Sequence, residues 1–546
     1  MTALNSLGRP VASRRPEPLS PGKAVTALAF RQVRRGALAI TVVAAGMSVL
    51  VAVTYDEVVR AGQQGMSLSA LAGSPAIRTL FGEPAALEDP GGFTVWRTGT
   101  FVAVLLGVWG LLAATRITRG EEDSGRWDLL LAGRVPRSGV VRRNVGVLVA
   151  AMGVSGGAVA VALVAAGTDP AGAVLHGAGL AFLGAFFVGV GGLTAQVFPA
   201  RAAASGAAVA VLGASLLLRM VGDGVTALAW ARWLTPFGLV ELTRPYDTGR
   251  WLPLLVLAAA AGLLTVVIPF AATRRDLRGG WLAPATGRAP RLALLGSMPG
   301  FAVRRTLRPL AGWSAGVAAY FLLIGLIAES MTDFLADNPR FADLAAQAGF
   351  AGLGTVGGYA ATLFALLAIP VGVFTAVRIA AIAAAETDRL LTLLYAGPVT
   401  RRASSGAEVL AAAGGAVVLT LVAGLATWAG TAIVGAGLSV GGALAGSLNV
   451  LPVAALCLGA AVFALGLLPR AVAWIGALPA VGGFLLLVLA VDAGAPAWVV
   501  KLSPFAHLAA VPDEAPDWVG AAGMMAVALA LCVAGIGAYE RRDLRG

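Results

Sequence analysis

Residues 121–137 read EEDSGRWDLLLAGRVPR, and residues 385–401 read AETDRLLTLLYAGPVTR. Both stretches concentrate acids, arginines and leucines in a chain that is 58% hydrophobic and 12% charged. They align without a gap: Glu122 with Glu386, Leu129 and Leu130 with Leu393 and Leu394, Ala132-Gly133 with Ala396-Gly397, and Arg137 with Arg401. Each runs from acids through a polar turn to apolar residues at helical spacing, then a Gly and an Arg. Trp127, Leu130 and Leu131 fall on one helical face in the first copy, and Leu390, Leu391 and Leu394 in the second. The pattern predicts a stub helix lying across a membrane surface, with Glu121, Glu122, Glu386 and Asp388 in its opening turns and Gly133 or Gly397 at its end. The chemistry that fits is charge pairing and docking. A single catalytic centre does not explain acids that recur by symmetry.

The elements that must position these stubs are membrane spans. Mean hydropathy is +0.84 over 546 residues, more apolar surface than a soluble domain can hide. About twelve runs are long enough to cross a bilayer. In the first half they are 36–56, 98–117, 144–167, 174–197, 204–222 and 251–272. In the second they are 311–330, 360–383, 407–434, 445–467, 471–491 and 518–539. The N-terminal segment has no signal-peptide core, and 24–36 reads as an amphipathic elbow helix on the membrane surface. Cys457 and Cys532 lie in apolar runs and read as buried small hydrophobes, without a metal site or disulfide framework.

The net charge of +12 comes almost wholly from arginine, since Lys occurs only at 23 and 501. Arginines flank the spans, the mark of the positive-inside rule rather than of nucleic-acid binding. With both termini cytoplasmic, most of the 40 Lys and Arg fall inside, and the outer loops hold acids such as Asp56, Glu83, Asp333 and Asp513. Further motifs recur: TRRDLRGG at 273–280 with ERRDLRG at 540–546, and LTPF at 234–237 with LSPF at 502–505. The chain therefore reads as an all-α polytopic membrane protein of two tandem six-helix repeats, parallel about a pseudo-two-fold axis. Residues 1–35 form the N-terminal segment and elbow, 36–279 the first half, 280–300 a cytoplasmic linker and 301–546 the second half.

Six spans with a docking helix after the second, and a Glu-x-x-[Gly/Arg]-x-x-x-Leu-Leu-x-Ala-Gly-x-Val-x-Arg pattern, resemble the ABC-2 type (type V exporter-like) permeases of ATP-binding-cassette transporters. The fused double form is similar to actinobacterial tetronasin-type antibiotic and multidrug exporters. This resemblance implies a bacterial plasma-membrane permease that exports lipophilic antibiotics, drugs or lipid-like molecules. It implies two copies of a separate ATPase as partners, docked on coupling helices, with ATP and Mg held by those subunits and no cofactor in this chain. It also implies short re-entrant segments on the outer side, here marked by Pro236, Phe237, Pro504 and Phe505. In related permeases the second and fifth spans of each half line the substrate path, which makes Phe101, Trp109, Phe364 and Phe374 expected wall residues. The second half departs from the pattern, with Arg389 in place of the usual Gly and no counterpart to the Arg244-Pro245 pair.

The phosphate-cradling G-x-x-x-x-G-K-[ST] is not built around either lysine: Lys23 lacks the Gly six residues before it. The expected protein is thus not itself an enzyme. The alternative is a proton-coupled secondary multidrug transporter, which needs titratable groups near the midplane. Asp56, Glu329 and Asp492 sit instead at span ends, and His176 and His507 stand alone near the outer side.

Overall fold

The computed structural model describes residues 20–55, 75–277, 279–282, 292–339, 351–387, 389–492 and 495–543. Among them every regular element is helical. Among the described residues eleven helices are long and apolar enough to cross a membrane. The first half contains α1 (Pro21–Val53), a short α2 (Pro75–Phe81), α3 (Pro90–Thr115), the stub α4 (Arg126–Leu131), α5 (Arg137–Ala165), α6 (Pro170–Val197), α7 (Arg201–Gly224), a short α8 (Pro236–Leu242) and α9 (Trp251–Thr273). The second half contains α10 (Met298–Leu326), α11 (Ala328–Asp337), α12 (Val356–Thr387), the stub α13 (Leu390–Tyr395), α14 (Arg401–Val434), α15 (Val440–Leu448), α16 (Leu451–Leu467), α17 (Val472–Asp492) and α18 (Trp518–Arg541). The apolar α17 stands where the eleventh expected span was read.

Local chemistry sets the helix starts. Asp89 Oδ1 accepts from Gly91 N at 2.8 Å and Gly92 N at 3.0 Å, ahead of Pro90 at the first helical position of α3. Asp169 repeats the device before Pro170, and Ser439 Oγ takes Gly442 N at 3.0 Å before α15. Each such cap is worth about 1 kcal/mol. Side-by-side packing then relies on missing Cβ atoms. A Cβ on Gly156 would sit 2.2 Å from the Gly177 carbonyl oxygen, which fixes α5 against α6. One on Gly325 would sit 2.4 Å from the Thr427 carbonyl oxygen, which fixes α10 against α14.

The two sets of helices pack in the same pairwise order. Contacts of α1 with α5, α3 with α6 and α6 with α9 are matched by α10 with α14, α12 with α16 and α16 with α18. The fourth span of each set is the central one, with 72% of its apolar window buried in both. At the end of the bundle away from the stubs, Tyr55, Phe93, Ile324, Phe334 and Tyr359 form one apolar cluster that joins the halves.

Three expectations are corrected. The elbow helix is not separate, because α1 runs unbroken for 33 residues. Gly36 alone does not end it; a lone helical Gly costs only about 1 kcal/mol, and here it makes room for the Trp109 indole. The tenth span is two helices, because Val450 and Pro452 interrupt the ladder after Asn449, whose Nδ2 donates to the Ala509 carbonyl at 3.0 Å. The second half begins earlier than residue 301, since Ser297 caps a helix that already contains Met298 to Gly300.

Candidate functional site

The second span of the first half does not stop at its apolar end. A π-helical turn, Arg116–Gly120, extends α3 into Glu121–Asp123. Gly125, at φ 74°, then reverses the chain into α4. The left-handed turn is where the sequence supplies Ser-Gly, and only Gly adopts it without strain. That geometry carries Glu122 inward, to 1% exposure.

Glu122 meets the other repeated motif. Arg275, the second arginine of TRRDLRGG, donates Nη1 to Glu122 Oε1 at 2.6 Å and Nη2 to Oε2 at 2.5 Å. Its Nε donates to Gln196 Oε1 at 2.9 Å, and Nη1 also reaches the Gly279 carbonyl at 3.0 Å. Arg119 adds Nη1 to Glu122 Oε2 at 3.4 Å and donates Nε to the Ala195 carbonyl at 3.1 Å. Arg137 closes the ring by donating Nη2 to the carbonyl of Arg275. A forked, buried pair of this kind depends on having every remaining donor satisfied.

The second half repeats the latch in outline. Arg542 of ERRDLRG donates Nη2 to Glu386 Oε2 at 2.5 Å, and Arg401 Nη1 donates to the Arg542 carbonyl at 2.5 Å. Arg542 Nε and Nη1 find no partner among the described residues. Ala383 stands where the 264-residue register places the counterpart of Arg119. A separate pair sits close by: Glu408 accepts from Arg305 at 2.6 Å and Arg378 at 3.1 Å. Its first-half counterpart is Asn144, whose Nδ2 donates to the Ile117 carbonyl at 2.8 Å.

The stubs lie across these latches with one face inward. Trp127 is 1% exposed, and Leu130 and Leu131 pack on the same core. Leu391 is buried and Leu394 and Tyr395 are half-buried, with Tyr395 Oη 3.2 Å from Tyr539 Oη of the last span. The apolar face expected to dock is therefore mostly the face that holds each stub to its own half. Leu390 departs from it, being 68% exposed, and the outward side of α4 presents Arg126, Asp128 and Leu129, the last 82% exposed. Arg126 forks onto Glu121, with Nε to Oε2 at 2.6 Å and Nη2 to Oε1 at 2.7 Å. That hydrogen bond holds the guanidinium above its ordinary pKa. Asp388 lies outside the described residues.

The four expected wall residues do not gather. Phe364 stacks on Phe321 at 5.9 Å, and Phe374 meets Trp313 edge-on at 6.0 Å, both deep in the second-half core. Trp109 packs against α1 at Gly36, and Phe101 alone is open, at 59% exposure. The LTPF and LSPF segments are alike at their starts. Thr235 Oγ1 accepts from Gly238 N at 2.9 Å and Ser503 Oγ from Phe505 N at 3.2 Å, with Pro236 and Pro504 at the first helical positions. Phe237 packs on Phe187, and Phe505 on Phe484. They differ in length: α8 makes two turns, whereas Pro504–His507 is a single 3-10 turn.

Sequence reasoning singled out the RRD motifs as repeats but missed Arg275 and Arg542 as the partners of Glu122 and Glu386. The signal was present, since both motifs recur in register. It also passed over an ion network at the opposite end of the first half. There Arg219 Nε lies 2.6 Å from Asp223 Oδ2 and 3.1 Å from Glu241 Oε2, while Glu83 binds Arg232 at 2.6 Å and Arg244 at 2.5 Å. Burial pushes the Glu83 carboxyl up, but the Arg232 hydrogen bond and the charges of Arg244, Arg232 and Arg78 outweigh it and hold it below 4.5.

A family described as multidrug efflux system permease Rv1217c, C-terminal domain, matches residues 23–272 and 295–540 of the chain. Multidrug efflux system permease protein Rv1217c of Mycobacterium tuberculosis is 32% identical over 488 residues, covering 87% of this chain and 86% of that protein.

Proposed function

We propose, from the premise that this chain belongs to the multidrug efflux system permease family, that it is the permease of an ATP-driven exporter of lipophilic drugs or lipid-like molecules. Two copies of a separate ATPase supply the energy and hold the ATP and Mg; the chain itself binds neither. It spans the plasma membrane twelve times as two six-span halves, the second beginning at the helix that Ser297 caps, with both termini cytoplasmic. This is the fused double arrangement of tetronasin-type exporters.

One observation supports the coupling role above the others: each half places a stub helix at the same point, anchored inward through Trp127 or Leu391, directly after an acid at the end of the second span (Glu122 or Glu386) that ion-pairs with the arginine following the sixth. Closure of the ATPases pushes the outward face of each stub, around Leu129 in one and Leu390 in the other. The Glu122–Arg275 and Glu386–Arg542 pairs pass that push to the sixth and twelfth spans, and the resulting bias selects between inward-open and outward-open states. Cargo moves between the halves, with Phe101 as an open aromatic on the path.

The test is a double Leu129→Asp/Leu390→Asp variant co-expressed with the ATPase subunit that co-purifies with the parent protein. Both leucines point outward, so membrane insertion is expected to stay normal while ATPase co-purification is lost. Retained co-purification overturns the docking assignment.

One observation bears on the proton-coupled reading: Asp223, at the end of the fifth span rather than at its middle, is fully buried and shares Arg219 with Glu241. Drug uptake by inverted vesicles driven by a pH gradient without ATP, and abolished by Asp223→Asn, would support it over ATP coupling.

A further inference from the structure

At the end of the bundle opposite the latches, the first half encloses a cleft of about 70 Å³. Phe81, Trp96 and Phe237 wall it, and His176, Arg219 and Glu241 line it with polar atoms. Two of those polar groups are incompletely bonded. His176 and Arg219 are each 2% exposed, yet His176 Nδ1 and Arg219 Nη1 have no hydrogen-bond partner among the described residues. Arg219 uses its Nε on Asp223 and Glu241. Buried polar nitrogens are rarely left unpaired, and those that are call for an explanation. Two in one cleft create a demand for a shared oxygen acceptor, with His176 in the tautomer protonated at Nδ1.

Size narrows the acceptor. A drug-sized molecule needs roughly 300 Å³ or more, so this volume takes a head group while the remainder leaves along the aromatic wall. The charged groups that line it are Arg219 and Arg244 against Glu83 and Glu241, a balanced set. The two unpaired donors, rather than the net charge, call for an acceptor, and a carboxylate offers two oxygens. The site belongs to one half only. In the register that aligns LTPF with LSPF, Ala509 stands for Glu241 and Pro512 for Arg244.

We propose that this cleft binds the carboxylate of an amphipathic acid, with Arg219 Nη1 and His176 Nδ1 donating to its oxygens and Phe81, Trp96 and Phe237 flanking its chain. Binding here needs no ATPase, so its success or failure is independent of the coupling reading.

The experiment uses the full chain in nanodiscs and a dodecanoate carrying a diazirine near its carboxyl. Labelled peptides are mapped by mass spectrometry, with empty nanodiscs as the partition control. Label is expected within 79–97 or 237–245, displaced by dodecanoate and not by dodecanol or dodecylamine. His176→Phe, which keeps a ring and leaves the ion network intact, should cut specific labelling roughly tenfold, as should Arg219→Gln. Absence of label at the cleft, equal displacement by the alcohol, or undiminished labelling in a folded His176→Phe protein overturns the proposal.

Discussion

The two latches share an outline and differ in completeness. Around Glu122, Arg275 uses all three of its nitrogens and Arg119 lends a second guanidinium. Around Glu386 there is one guanidinium, held by one bond and leaving two nitrogens without partners among the described residues. The second half places its fuller cluster on Glu408 instead, where the first half has the neutral Asn144. A duplicated fold can therefore keep the same acid–arginine pair and place its fuller charge cluster elsewhere, at the end of the second span in one half and on the third span in the other. The first pair is held by more bonds than the second.

The largest effect that could break this comparison lies at Glu122. Leaving Arg275 and Arg119 buried without their acid should cost about 3–5 kcal/mol, so Glu122→Ala should lower the thermal midpoint in detergent far more than Glu386→Ala. Equal losses would erase the distinction. Next comes Glu408→Asn, which copies the first half's residue into the second. With Arg378 and Arg305 stripped of their acceptor, it should cost about 2–4 kcal/mol, and a neutral result would show that the second half does not depend on this pair.

A third prediction contrasts the ends of the bundle. Arginine pairing holds the Glu83 carboxyl below its ordinary 4.5, so the folded state favours the ionised form. The stability that this contributes is fully present above pH 4.5 and is lost as pH falls through the lowered folded value. Glu83→Gln should thus lower the thermal midpoint near neutral pH, and the gap from the parent should close in acid. The smallest effect belongs to Arg126→Ala, whose partner pair is at the surface with the guanidinium 60% exposed. A change of at most about 0.5 kcal/mol is expected, and a larger one would show that the stub rests on its outer pair rather than on Trp127.

Much of the fold was legible because a bilayer demands apolar runs of fixed length; the sequence holds about twelve such runs, and eleven of the described helices are long and apolar enough to cross. Caps were legible too, as Asp89-Pro90 and Asp169-Pro170 sit directly before apolar runs. The inward face of the stubs was not. Trp127, Leu130 and Leu131 share a helical face in any reading, but amphipathicity does not say whether that face meets a partner or its own core. Leu390 and Leu391 are adjacent leucines with opposite fates, 68% and 6% exposed, and only Leu391 joins the cluster formed with Ile379, Ile382 and Tyr539. The pairing of Glu122 with Arg275 spans 153 residues, beyond any local pattern. Phe364 and Phe374 looked like wall residues because aromatic rings suit a cargo path equally well as a packed core.

The unbroken first helix has a mechanical consequence. At 33 residues it is about 50 Å long, and Arg116 grips its inner portion by donating to the Gln32 carbonyl at 2.7 Å. Further along, Thr41 Oγ1 meets Ser155 Oγ at 2.7 Å. A stiff rod of this length acts as a lever: roughly 10° of swing about one end carries the other through about 9 Å. Displacement of the second span next to its stub would then be delivered, undiminished, to the far rim where Tyr55 reaches the Leu87 carbonyl at 3.1 Å.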